Sequence, residues 1–182
     1  LSWEAAIGYA DQISVREADD IRAFVKPTTT ADVLFTSGTT GEPKGALCSH
    51  AQNLRAYRDW ADVVGLRADD RYLVVAPFFH AFGYKAGWLA ALMVGATVVP
   101  QPVFDAKAVL ARIGPDRITM LPGPPTLYQA ILGDPSLGEH DISSLRLAVT
   151  GAAVIPTELI IRMREELGFE TVVTGYGLTE AC

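Results

Sequence analysis

From Asp70 to the end of the chain, short apolar runs alternate with stretches of helical period. Residues 72–76, 97–99, 118–121, 145–150 and 171–174 are apolar nearly throughout, as expected of strands buried on both faces. Between them lie helical stretches at 87–94 and 106–113, where Ala106, Val109, Leu110 and Ile113 recur at i, i+3, i+4, i+7 behind a capping Asp105. Two more follow, one opened by Pro124-Pro125 and running through Leu132, the other spanning 157–167 and ended by Gly168. Residues 133–143 are a polar connection in which His140 is expected to be exposed. Strands that return through helices predict an α/β fold, a parallel sheet flanked by helices on both faces.

The first third is patterned differently. Trp3, Ile7 and Ala10 suit one short helix, while Asp19-Asp20 and 27–30 are expected to be solvated connection, so 1–31 is an approach segment and the least ordered part. Val33-Leu34-Phe35 and Ala46-Leu47-Cys48 predict two strands of a hairpin. Ser49 with Gln52 has capping-box spacing, Leu54, Tyr57, Ala61 and Val64 form an apolar stripe, and Gly65 is a stop, which predicts a helix over 50–64 with His50 in its first turn. The expected organisation is an approach at 1–31, a hairpin and helix at 32–66, and an α/β subdomain at 67–182.

Composition narrows the function. The chain has 182 residues, 49% hydrophobic, enough for one sizeable core. Its net charge of −6 argues against nucleic acid or an anionic membrane as the main partner. Cys48 and Cys182 have no metal-ligand spacing and suggest no disulfide framework, which favours a reducing, cytoplasmic setting. No signal-peptide pattern opens the chain. The most apolar stretch, between Lys85 and Pro100, holds 14 residues, two of them glycine. A membrane-spanning helix needs about 20.

The hairpin tip carries the strongest chemistry: Thr36-Ser37-Gly38-Thr39-Thr40-Gly41-Glu42-Pro43-Lys44-Gly45. Glycines let successive N–H groups turn to one side as an anion nest, four hydroxyls add donors, and Lys44 adds a mobile positive charge. Such a loop suits a polyphosphate, although Ser/Thr/Gly turns also occur as plain surface loops. It is not a Walker A loop, because Pro43 and Ala46 stand where that motif needs glycine. Gly175-x-Gly177 is not a dinucleotide fingerprint either, since Glu180 replaces the third glycine. Ligands of open parallel sheets bind beyond the carboxyl ends of the strands, where residues 77–83, Gly123, Gly151-Ala152-Ala153 and 175–180 all fall.

The loop, together with Pro77-Phe78-Phe79-His80-Ala81-Phe82-Gly83, Thr150-Gly151-Ala152-Ala153 and Tyr176-Gly177-Leu178-Thr179-Glu180, resembles the signatures of the adenylate-forming superfamily in the same order. That superfamily comprises acyl-CoA synthetases, aryl-CoA ligases, luciferases and adenylation domains of peptide synthetases. The resemblance implies activation of a carboxylic acid by ATP and Mg²⁺ as acyl-AMP, then transfer to CoA with release of AMP and pyrophosphate. It implies that residues 36–44 cradle the β- and γ-phosphates, that Gly151, Ala152 and Ala153 form an adenine-binding loop, and that Tyr176 with Gly177 faces adenine. Thr179 would meet the α-phosphate, Glu180 would hold Mg²⁺, and His80 would orient the acyl carboxylate beside a pocket of Phe82, Tyr84, Gly87 and Trp88. Residues 77–87 and 121–128 are similar to bacterial ligases acting on propanoate side chains of partly degraded steroid rings; a fatty or aryl acid stays open.

Family members are far longer, so the resemblance implies a fragment lacking upstream sheet and a downstream lid. It should have little turnover alone, with 67–182 as the ordered core, a mobile or displaced phosphate loop, and an exposed apolar face that favours self-association. Three alternatives stay open: an adenylation domain loading a carrier protein, a hydrolase or kinase releasing ADP, and a non-catalytic nucleotide-binding module.

Overall fold

A computed structural model of the protein describes residues 2–37 and 41–181. Its N-terminal segment is more regular than expected. Helix α1, Trp3–Gly8, is capped by the Ser2 hydroxyl, which accepts from the Ala5 N–H. Helix α2, Val15–Phe24, opens on a reciprocal capping box between Ser14 and Glu17 and places Asp19 and Asp20 inside a helix rather than in a connection. Neither helix buries a residue, and Trp3 and Phe24 are 76% and 80% exposed. The caps make these helices; no core face does.

Strands β1, Thr30–Thr36, and β2, Lys44–Ser49, form the expected antiparallel hairpin, with Thr36 opposite Lys44. Helix α3, His50–Val64, begins at the Ser49–Gln52 capping box and ends at Gly65, whose φ of +77° a residue with a Cβ would resist. Ala61 and Val64 bury against Tyr72, Ala90, Ala91 and Met120, so α3 packs on the parallel sheet itself.

That sheet has five lines. Strand β3, Arg71–Val74, pairs in parallel with β4, Thr97–Pro100, and β5, Leu147–Gly151, pairs in parallel with β6, Thr171–Gly175. The expected third strand is reduced to a connecting line: Met120 bridges Tyr72 on one side and Leu147 on the other. Met120 O accepts from Leu73 N at 2.9 Å, and Leu121 N donates to Leu147 O at 3.1 Å. Gly123 N still donates to Val149 O at 2.9 Å on the β5 side, but Pro122 has no N–H to give β3, so the line stays short of a full strand. The order is β4, β3, the Met120 line, β5, β6.

Side chains alternate across the sheet. Leu73, Leu121 and Ala148 face one cluster with helices α5 (Ala106–Ile113), α6 (Pro125–Leu132) and α7 (Thr157–Glu165). Tyr72, Val74, Met120, Leu147 and Val149 face the other with α3 and α4 (Ala90–Val94). Two expectations are corrected. The helix expected from 87 begins at Phe82, in a π-type stretch Phe82–Leu89 that turns at Gly87 (φ −84°, ψ −105°) before α4. His140 is half-buried, not exposed, with Nε2 3.5 Å from the Ser136 hydroxyl. Among the described residues no helix is long and apolar enough to cross a membrane.

Candidate nucleotide and acyl site

The carboxyl ends of the sheet gather the chemistry. Beyond β3, His80 N donates to Pro77 O at 3.0 Å and Tyr84 N to His80 O at 2.8 Å, so residues 77–84 form a tight turn. His80 is exposed, and its Nδ1 accepts from Phe82 N at 3.1 Å. Phe78 and Phe79 are 45% and 84% exposed, so the histidine is not packed in an aromatic core. Tyr84 and Trp88 stack on each other with ring centroids 4.7 Å apart. The open pocket at this end, about 290 Å³, is lined instead by Pro77, Phe78, Phe79, Pro100, Gln101 and Pro102, without Phe82, Tyr84, Gly87 or Trp88. A larger cleft of about 480 Å³ lies at the opposite end of the sheet among Asp69, Arg71, Asp116 and Arg117, away from every motif.

Beyond β5, Gly151 approaches β6 so closely that a Cβ there would lie 2.2 Å from Gly175 O. Ala152 follows with φ +65°, and Ala153 is exposed. An alanine in the left-handed region costs about 1 to 2 kcal/mol, against ~0.5 to 1 kcal/mol of extra chain entropy for glycine. Ala152→Gly is therefore expected to stabilise the fold by about 0.5 to 1 kcal/mol, measured by denaturant unfolding. Strain of this kind gathers at functional sites.

Beyond β6, Tyr176 is 89% exposed and Gly177 and Glu180 are open to solvent. Thr179 and Glu180 sit on the short turn Thr179–Ala181, which packs against β2. The contact brings the strand that Lys44 opens beside the turn that carries Glu180. Thr36 Oγ1 lies 3.5 Å from Lys44 O across the hairpin; Ser37 and Lys44 are exposed, and Gly41 has φ +101°. Gly38, Thr39 and Thr40, and with them the expected mobility of the loop tip, lie outside the described residues.

A family model described as AMP-binding enzyme matches residues 4–182. The chain belongs to the AMP-binding enzyme family. It is 48% identical over its whole length to a 3-(7a-methyl-1,5-dioxo-octahydro-1H-inden-4-yl)propanoyl:CoA ligase of Rhodococcus jostii, of which it covers 35%. It is 51% identical over 99% of its length to the ligase of that name from Mycobacterium tuberculosis, again covering 35%. The chain thus spans about a third of these relatives. An anthranilate CoA ligase in complex with anthranoyl-AMP superposes with a TM-score of 0.78 at 32% identity, over 85% of this chain and 30% of that one. An O-succinylbenzoate Coenzyme A synthetase of Bacillus subtilis, bound to ATP and magnesium, gives 0.74 at 30% identity over 86% of this chain and 32% of that one.

Within this AMP-binding fold the described residues contain no group of three or more His, Cys, Asp or Glu able to enclose a metal. A lone exposed carboxylate, Glu180, suits Mg²⁺, which keeps several waters and is shared with phosphate oxygens. One group escaped the sequence reading. Lys85 is fully buried and ion-pairs with Asp32 at 3.1 Å. Its signal was a lysine beside an otherwise apolar run; its partner, far away in sequence, gave none.

Proposed function

We propose that this chain is the part of an ATP-dependent acid–CoA ligase that grips the nucleotide and presents the acyl carboxylate. The observation that carries this is convergence: the strand that Lys44 opens lies beside the Glu180 turn, and both the Gly151–Ala153 segment and the Pro77–Gly83 turn lie at the same end of one parallel sheet. The subdomain division at 66/67 and the fragment's low activity alone belong to this reading, as does a cytoplasmic setting. Exposed Val33, Phe35 and Leu47 on the hairpin support self-association of the isolated chain.

In this reading the carboxylate oxygen attacks the α-phosphorus of ATP and pyrophosphate leaves. Lys44 and the hydroxyls and N–H groups of 36–41 offset the charge of the β- and γ-phosphates. The open backbone at Gly151, Ala152 and Ala153 lets adenine lie flat, with Tyr176 and Gly177 on its other side. Thr179 donates to the α-phosphate, and His80 orients the incoming carboxylate. Mg²⁺, held through Glu180, supplies charge neutralisation on the leaving side. CoA then takes the acyl group and AMP is released. The two propanoyl:CoA ligases at 48% and 51% identity favour a propanoate borne on a bicyclic, steroid-derived ring, ahead of a fatty or aryl acid.

The test is a panel of such acids with the full-length polypeptide that carries this chain, followed by mass spectrometry of nucleotide and thioester products. Acyl-AMP, AMP and acyl-CoA are expected with the ring propanoate. Release of ADP and phosphate, without an acyl adenylate, sinks the proposal.

A further inference from the structure

The hairpin that bears the phosphate loop is poorly anchored by apolar burial. Among the described residues of β1 and β2 only Cys48 is fully buried, while Val33, Phe35 and Leu47 are 44%, 74% and 67% exposed. Its deepest tie is polar. Asp32 of β1 has a side chain 12% exposed, and one carboxylate oxygen lies 3.1 Å from Nζ of Lys85, which is 0% exposed. The other oxygen accepts from Nδ2 of Asn53, on α3, at 2.5 Å. Burial first, then the nearby Asp32 charge, raises the Tyr84 phenol above its ordinary pKa.

Three elements therefore meet at one carboxylate: the phosphate hairpin, α3, and the π-type stretch that continues from the His80 turn. Burying a charged pair seldom improves stability over apolar side chains of similar size, so stability does not explain this one. Position does. Asp32 precedes Thr36 on the same strand, and Lys85 follows His80 in the same turn-and-helix segment. Lys85 is buried within a π-type stretch, a geometry uncommon and often placed at functional sites.

We propose that Asp32 and Lys85 are positioning residues: their buried ion pair is a strut that sets the phosphate hairpin at a fixed distance from the His80 turn. The strut thereby aligns the triphosphate with the acyl carboxylate, which rests on the ligase reading above. The hairpin is the weakly anchored side, so loosening the strut displaces the phosphates and leaves the acid where it is.

The test uses the full-length polypeptide and two variants. Lys85→Met with Asp32→Asn removes both charges, leaves no buried ion without its counterpart, and keeps an acceptor for Asn53. Asp32→Glu keeps the charge but lengthens the strut by one methylene. The double variant is expected to fold, raise the KM and Kd for ATP about tenfold or more and lower kcat, since a shift on the order of 1 Å can cost ~10²-fold. The KM for the acid should stay unchanged. Asp32→Glu should move ATP affinity in the same direction by less. A folded double variant with unaltered ATP constants overturns the strut; should it not fold, unaltered ATP constants in Asp32→Glu do so. ATP titration by calorimetry separates this from the proposed function. A parent that binds ATP but makes no acyl adenylate ends the ligase reading, while the Kd comparison still decides the strut.

Discussion

Lys44→Ala in the full-length polypeptide is expected to lower acid-dependent pyrophosphate exchange by about 10²-fold or more, the loss typical of removing one preorganised donor at a site of concentrated charge. Glu180→Ala should do the same through the metal. The two signatures differ. Without Lys44 the KM for ATP should rise at any magnesium concentration, whereas without Glu180 the deficit should shrink as magnesium is raised. Both side chains are exposed at the end of the hairpin and on the turn beside it. Thermal unfolding should therefore be unmoved, as for most surface substitutions, within about 0.5 kcal/mol. Arg58→Ala, at an exposed i,i+4 pair with Asp62 on α3, is the control and should leave exchange untouched. Undiminished exchange in both Lys44→Ala and Glu180→Ala would remove these residues from the site.

What the sequence announced was announced locally. Helix α3 carries its start in Ser49 and Gln52 and its stop in Gly65; α5 begins at Asp105, and α6 at Pro124 and Pro125. Each of these signals lies within a few residues of the backbone it directs, so no tertiary contact is needed to interpret it. The parallel sheet followed from apolar runs, and the sheet alone placed residues 77–83, 151–153 and 175–180 at one end. Helix α2 has the same Ser-x-x-Glu spacing at 14 and 17, but it buries nothing, so the apolar period that marks other helices is missing. The line through Met120 looks like a strand in composition, yet Pro122 cannot donate toward β3, so its pairing continues on the β5 side alone, where Gly123 N bonds Val149 O. The early helical start at Phe82 is set by local bonds around His80 that no apolar period marks. The Asp32–Lys85 pair was illegible because it depends on a contact between residues far apart, which neither period nor spacing encodes. The pocket at the ends of β3 and β4 was missed likewise, because Pro100 and Pro102 meet Phe78 and Phe79 only once the two strands pair.

Gly83→Ala is expected to lower the unfolding free energy by about 3 kcal/mol, toward the upper end for overpacking a fixed site. A Cβ on Gly83 would sit 2.2 Å from Pro77 O and 2.4 Å from Ala76 O. Those atoms are backbone carbonyls, not the ends of flexible side chains, so relief requires the strand end or the helical stretch to move. Neither moves alone: Pro77 O already accepts from His80 N, and Tyr84 N is bonded to His80 O. Gly177→Ala is the matched comparison, since nothing lies within 4 Å of a Cβ there, and its stability should equal that of the parent. Gly87→Ala should fall between, because its nearest obstacle is the Val74 side chain at 3.1 Å, which can rotate. Urea unfolding of the three variants orders them directly. Where Gly83→Ala still folds, the displaced turn carries His80 with it. The KM for the acid should then rise at least as much as the KM for ATP, because His80 moves directly with the turn and Lys85 lies two residues along the same stretch. A Gly83→Ala protein as stable as Gly177→Ala would show that the turn is not packed as tightly as its carbonyl contacts require, and that His80 is held by something other than this glycine's close approach.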